Sequence, residues 1–323
     1  MISCPEIRKV VLAGSGVMGI SFAQIFARNG YEVTLYDISE EALQRADAQL
    51  RPGLETQAEQ GMFAAEEIDA ILSRIRTTTD IECFADADFV LEAIVERMDI
   101  KHSFWAEVSA LARPDAILAT NTSGLSVTEI AQAVKDPSRF AGMHWVNPPH
   151  LVPLVEVIAG EKSSEEAVNE IFALAEKIHQ KPIRVFKDPA GFILNRLQYA
   201  VIREACHCVQ EGYATVEDVD NVMKYGLGMR YACIGPFETM DLGNLGTFYH
   251  VSSYMMDSLC NDGGVPALIQ QMHDEGKLGV VNGAGFYDYS GEKAQAAVRR
   301  RDTMFLKLAK VLFSEESGDR KDS

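Results

Sequence analysis

The sequence has no CxxC pair. Its 6 cysteines stand at Cys4, Cys83, Cys206, Cys208, Cys233 and Cys260, a scatter that suits reduced, mostly buried thiols and gives no disulfide framework or zinc-type spacing. "CHC" at 206–208 lies in a helical pattern, where residues one and two apart point in different directions, so no shared metal ion is expected. Positive charge is also scarce. There are 30 Lys and Arg against 47 Asp and Glu, a formal net charge of −17, which argues against nucleic acid and anionic membranes as partners. No apolar run approaches the length of a membrane span, and a strand begins too early in the chain for a secretory leader. A cytoplasmic protein is the expectation. No internal repeat is visible. The final stretch "SEESGDRKDS", residues 314–323, has nothing to bury and reads as disordered. What remains is a chain of 323 residues with 47% hydrophobic content, enough for one large or two ordinary globular domains.

"KVVLAGSGVMGISFAQIFARNG" reads as strand, glycine turn and helix, and "YEVTLYD" as a second strand. A charged stretch from Ser39 to about Arg76 follows. Pro52-Gly53 interrupts it, and the pattern predicts a hairpin of two helices. "ADFVLEAIVE", "AILATNTSG" and the run around "LVEV" add strands, with helical segments between them. Strands alternating with helices over about 180 residues predict an α/β fold with an open, mostly parallel sheet. After "KPIRVFKDPAGF" the periodicity becomes helical, with Thr215 as an N-cap candidate. The predicted division is a Rossmann-like domain over residues 1–187 with a helical hairpin insertion, then an all-α domain over 188–323.

Gly14-Ser15-Gly16-Val17-Met18-Gly19 follows a strand and opens a helix, the context in which GxGxxG binds a dinucleotide. Gly14 serves the tight turn, Gly16 the approach of a pyrophosphate, and Gly19 the packing of helix on sheet. The amides around Val17 and Met18 face the phosphates. Asp37 ends the second strand, where a carboxylate accepts the adenosine ribose hydroxyls. No Arg follows to receive a 2′-phosphate, so NAD is expected over NADP. Simple turn glycines are the competing reading.

"HWVNPPHLVPLVEV" places Glu156 inside an apolar strand. A buried carboxylate costs several kcal/mol unless it is paired, and His144 opens the same stretch. If "NPPHLVP" turns back, the two meet. An imidazole held by a carboxylate is the acid–base pair that alcohol oxidation with NAD requires. A structural histidine beside a coincidental acid remains open from spacing alone.

The strand–glycine–helix opening, "EAIVE", "NTSGLS", "HWVNPPHLVPLVEV" and "GFILNRL", in this order, resemble the 3-hydroxyacyl-CoA dehydrogenase family over nearly the whole chain. The resemblance implies an NAD domain followed by a helical dimerisation domain, hence a homodimer, acting on the 3-hydroxyl of an L-3-hydroxy substrate. Carried over by position, His144 is the base, Glu156 its orienting partner, Ser123 the hydroxyl bonding the substrate oxygen, and Asn195 the amide that positions the substrate. Glu96, Lys101 and Asn147 match cofactor positions. "GFILNRLQYAVIREA" and "GLGMRYACIGPFETMDL" look like the branch that contains lambda-crystallin, whose members act on free 3-hydroxy acids. In that branch Arg230 is suited to clamp a carboxylate through two parallel bonds. "EAIVE" and "NTSGLS" look more like the acyl-CoA enzymes. The expected substrate is a free 3-hydroxy acid such as L-gulonate, with a short-chain 3-hydroxyacyl-CoA thioester such as 3-hydroxybutyryl-CoA as the alternative. A non-catalytic, crystallin-like protein that retains NAD binding is a further alternative. The 6-phosphogluconate-type enzymes are set aside, because "GFILNRLQYAV" contains no Lys to act as their base.

Overall fold

A computed structural model describes residues 6–313; the tail expected to be disordered lies outside them. The chain divides into two compact units, Met1–Arg196 and Leu197–Ser323. The sequence pattern placed the change at 187–188, and α7, defined below, runs across the observed division.

The first unit is one eight-stranded sheet in the order β3-β2-β1-β4-β5-β6-β7-β8. Its opening is β1 (Lys9–Ala13), α1 (Val17–Arg28) and β2 (Glu32–Tyr36). Next come α2 (Glu40–Glu59), α3 (Ile68–Leu72), β3 (Ile75–Thr78), β4 (Phe89–Glu92), α4 (Met98–Leu111), β5 (Ile117–Thr120) and the short α5 (Val127–Ile130). The unit finishes with β6 (Phe140–Trp145), β7 (Leu154–Ile158), α6 (Glu165–Lys177), β8 (Lys181–Val185) and the start of α7 (Leu194–Gln210). Central strands are apolar on both faces because each feeds two cores. Val10 and Leu12 join one cluster with Phe22 and Phe26 of α1. Val11 and Ala13 join the other with Phe84 and Trp105. Each such fully buried large side chain contributes about 1.5–3 kcal/mol of apolar burial.

Strands β1 to β6 pair in parallel, so their carboxyl ends lie along one edge, where ligands bind in open α/β sheets. The exception is β6 with β7, which is antiparallel and sets His144 directly opposite Glu156. Pro182 is accommodated because β8 is an edge strand.

The expected two-helix break at Pro52-Gly53 is not there. Helix α2 runs through both residues, and the chain turns only after Glu59, near Gly61. A Cβ at Gly53 would collide with the side-chain amide of Gln24 in α1. The glycine therefore serves close packing of two helices instead of ending one. Arg76, assigned to the hairpin by its charge, belongs to β3, an edge strand that is largely exposed.

The second unit holds the remainder of α7, then α8 (Val216–Val222), α9 (Met229–Cys233), α10 (Pro236–Leu242), α11 (Leu245–Met255), α12 (Ala267–Asp274) and α13 (Lys293–Phe313). Thr215 caps α8 by accepting from the Asp218 amide at 3.1 Å. From Leu197 onward only Cys206 and Thr239 are buried among the described residues. No helix of the described residues is long and apolar enough to cross a membrane.

Candidate active site

At the end of β1 the backbone adopts φ +101° at Gly14, a conformation that glycine enters without steric cost. A Cβ there would lie 2.5 Å from the Ala93 carbonyl oxygen. One on Gly19 would collide with the Gly14 carbonyl oxygen, whereas one on Gly16 would meet nothing within 4 Å. Thus two of the glycines are required by the protein's own packing, and the middle one faces open space. Helix α1 begins at Val17 and Met18 with no side-chain cap, so its first amides are free for an anion. Asp37 accepts from the Ser15 amide and hydroxyl at 2.8 and 2.7 Å, and from the Ser39 amide at 3.0 Å. Its carboxylate is thereby fixed beside the glycine turn. Open space at Gly16, uncapped amides and an anchored acid fit the pyrophosphate and adenosine ribose of NAD.

His144 and Glu156 meet across the β6–β7 hairpin. His144 Nδ1 lies 2.8 Å from Glu156 Oε2. Glu156 is fully buried and His144 is 4% exposed. The second carboxylate oxygen accepts from the Ile193 and Leu194 amides, each at 3.0 Å. These amides stand at the start of α7, aimed by left-handed backbone at Gly191 and Phe192, an arrangement that concentrates N–H groups on an anion. Burial by itself would raise the Glu156 carboxyl. The bonds from His144, Leu194 and Ile193 overcome it and hold the group below the usual carboxylate range. The Phe192 ring, 5.5 Å from the imidazole centroid to centroid, walls one side. A carboxylate can only accept, so Nδ1 carries the proton in the neutral ring. Nε2 is then left as the acceptor, with no hydrogen-bond partner among the described residues.

A second buried acid lies at the end of β4. Glu92 is fully buried. It accepts from Lys101 Nζ at 2.5 Å and the Ile94 amide at 3.0 Å through one oxygen, and from Thr120 Oγ1 at 2.8 Å and Trp105 Nε1 at 3.2 Å through the other. Lys101 also reaches Glu96 Oε2 at 3.2 Å. Glu96 in turn accepts from Thr122 Oγ1 at 2.6 Å and the Ser123 amide at 2.8 Å. Against the cost of partial burial, those two donors and the Lys101 ammonium keep the Glu96 carboxyl below its usual range. Asn195 Nδ2 donates to the Ser123 carbonyl at 2.9 Å.

The structure therefore brings together His144 with Glu156, and Ser123 with Asn195 and Glu96. Lys101, matched to a cofactor position by resemblance, is 1% exposed and turns its ammonium inward between two carboxylates. Asn147 is exposed in the turn after β6, and Arg230 is exposed on α9 in the second unit. Sequence reasoning passed over Glu92, although "FVLE" shows the same signal that singled out Glu156, an acid closing an apolar strand. It also missed the Ile193 and Leu194 amides where α7 begins, which backbone pattern does not advertise.

A Rossmann-like sheet with a glycine-turn nucleotide cleft and a carboxylate-held imidazole defines an NAD-dependent oxidoreductase acting on CH–OH groups. Residues 9–189 match the 3-hydroxyacyl-CoA dehydrogenase NAD binding domain, and residues 191–289 match the C-terminal domain of the same enzymes. The chain belongs to the 3-hydroxyacyl-CoA dehydrogenase family. It is 33% identical over 319 residues to 5-formyl-3-hydroxy-2-methylpyridine 4-carboxylate 5-dehydrogenase of Mesorhizobium japonicum, covering 96% of this chain and 100% of that one. It is 37% identical over 285 residues to a probable 3-hydroxybutyryl-CoA dehydrogenase of Bacillus subtilis, covering 88% and 98%. Among solved structures, the pyridine carboxylate dehydrogenase, described as an NAD+-dependent dismutase, superposes with a TM-score of 0.88 at 33% identity over 95% of this chain and 99% of that one. The (S)-3-hydroxybutyryl-CoA dehydrogenase of Ralstonia eutropha does so at 0.73 and 32% over 88% and 100%.

Proposed function

We propose that the protein oxidises the hydroxyl of a small L-3-hydroxy acid carrying a free carboxylate, with His144 as general base. Bound NAD supplies the hydride acceptor. The Gly14–Gly19 turn with Val17 and Met18 holds the pyrophosphate and Asp37 the ribose, while Glu96 and Asn147 serve the nicotinamide side. His144 Nε2 takes the hydroxyl proton, and the positive charge that forms on the ring is met by Glu156 through Nδ1. Ser123 Oγ, free of protein partners among the described residues, bonds the substrate oxygen, with Asn195 beside it. In the reverse direction the His144 imidazolium returns the proton. The observation that carries this reading is the 2.8 Å bond between His144 and a buried Glu156, which leaves one imidazole nitrogen available for proton transfer.

The preference for a free acid over a CoA thioester is supported by α2. A CoA carries a pyrophosphate and a 3′-phosphate, yet the only cations of α2 are Arg45 and Arg51, and both are paired, with Glu41 at 3.7 Å and Asp69 at 2.6 Å. Five acids share that helix. One relative matched over its full length acts on a pyridine carboxylate by its name, although 3-hydroxybutyryl-CoA dehydrogenases are matched over 98% and 100% of theirs. Arg230 is the residue we assign to the substrate carboxylate. The 3-hydroxybutyryl-CoA relatives keep the thioester as the second reading.

The helical unit is read as a dimerisation domain of a homodimer. Phe237 is 78%, Tyr249 74% and Leu242 74% exposed in the single chain, and an apolar surface of this kind calls for a partner.

The test is a panel of free 3-hydroxy acids and matched CoA thioesters with NAD, run on wild type, His144→Gln and Arg230→Ala. His144→Gln should lose about 10²–10⁴-fold in kcat with NADH binding intact. Arg230→Ala should raise KM for acids and leave thioesters unchanged. Near-normal turnover by His144→Gln removes the base assignment. Exclusive turnover of thioesters removes the free-acid reading, and no NADH formation from any substrate favours a non-catalytic protein.

A further inference from the structure

We propose that Glu92 is a positioning residue for Ser123, acting through Lys101 and Glu96. The inference rests on the reading of Ser123 as the hydroxyl that meets the substrate. Glu92 is fully buried at the carboxyl end of β4, where a carboxylate needs every partner it can find. It has four, from Lys101, Ile94, Trp105 and Thr120. If stability alone were at issue, apolar side chains of similar volume would do as well or better, since buried ion pairs give little net stability. The cluster, moreover, does not stop at a neutral pair. Lys101 lies between two carboxylates, and the second of them, Glu96, is exposed.

Glu96 binds the Ser123 amide while Asn195 binds the Ser123 carbonyl. The peptide groups on both sides of Ser123 are thus held, one from α4 and the sheet floor, the other from the start of α7. The side-chain hydroxyl is left unengaged. Because α4 carries Lys101 and β4 carries Glu92, the line Glu92–Lys101–Glu96–Ser123 ties an exposed loop residue to two rigid elements. Sites supported in this way hold their reacting groups within about 0.5 Å, and a misplacement of about 1 Å costs about 10²-fold in rate. The inward turn of Lys101 is explained at the same time: it sets Glu96, and it serves the cofactor side only through that carboxylate.

The experiment compares Glu92→Gln with the double variant Glu92→Gln/Lys101→Met, reading melting temperature, NADH affinity by fluorescence, kcat and KM. Glu92→Gln leaves a buried ammonium poorly compensated and should lower both melting temperature and kcat. In the double variant the buried charges are gone together, so the melting temperature should return toward wild type, while kcat at saturating NAD stays about 10-fold or more below wild type. Recovery of kcat along with the fold would show that Glu92 is structural only and would overturn the proposal. Should the double variant not fold, the cycle of Glu92→Gln, Glu96→Gln and their combination decides. Non-additive losses in kcat support a line of action through Glu96, and additive losses refute it. Ser123→Ala run alongside separates the two readings: if it keeps full turnover, the role of Ser123 fails first, whatever Glu92 does.

Discussion

At the scale of single residues, two buried acids have opposite kinds of partner. Glu156 is held by an imidazole and two amides, Glu92 by a lysine and three neutral donors. The Glu156 carboxyl lies below its usual range in the folded chain. The stabilisation from its ionised form is therefore complete above the unfolded carboxylate pKa of about 4.3, and is lost as pH falls through the lower folded value. Glu96 and Asp188 are shifted in the same direction; Asp188 works against its own burial through bonds from Ser126 and Thr128. Wild type should lose melting temperature steeply as pH falls below about 4.3. Glu156→Gln should start from a lower melting temperature at neutral pH and decline less over that window. Parallel melting curves for the two proteins from neutral pH to pH 3 would refute this.

At the scale of elements, the glycine turn separates folding from ligand binding. Gly16→Ala adds a methyl group to open space, so thermal melting of the apo protein should be unchanged while NADH affinity falls about 10-fold or more, at about 1.4 kcal/mol per tenfold. Gly19→Ala collides with the Gly14 carbonyl and should damage the fold itself. Circular dichroism melts with NADH titrations distinguish the two. In α2, Pro52 interrupts the backbone hydrogen-bond ladder of a helix. If Pro52→Ala keeps the packing on α1, urea unfolding should show a gain of up to about 3 kcal/mol. These elements also show what a one-dimensional reading could reach. The turn, both its flanking elements and the β6–β7 hairpin were visible because glycine chemistry and a lone acid in an apolar run are local signals. Strand β3 was not, because an edge strand with exposed Arg76 and Thr77 has no apolar run. The continuous α2 was missed because Pro-Gly normally ends a helix, and what overrides it here is contact with Gln24 on another element. Glu92 and Glu156 find partners 9 and 37–38 residues away, distances at which only the fold decides.

At the scale of the whole molecule, the two units have unequal means of support. The first has two apolar clusters around a sheet. The second buries only Cys206 and Thr239 among its described residues, so its helices lack a core of their own in one chain. Under the homodimer reading, sedimentation should give a two-chain species. The variant Phe237→Asp/Tyr249→Asp should dissociate it and lower the melting temperature, whereas Arg299→Asp, a surface charge on α13, should do neither. A monomeric wild type would remove the reading. The antiparallel turn between β6 and β7 has a consequence for descent. Because it puts His144 and Glu156, the proton acceptor and counter-charge of the proposed reaction, on one uninterrupted stretch of backbone, exchange of everything beyond Arg196 between related genes would replace the helical part and pass this hairpin on whole.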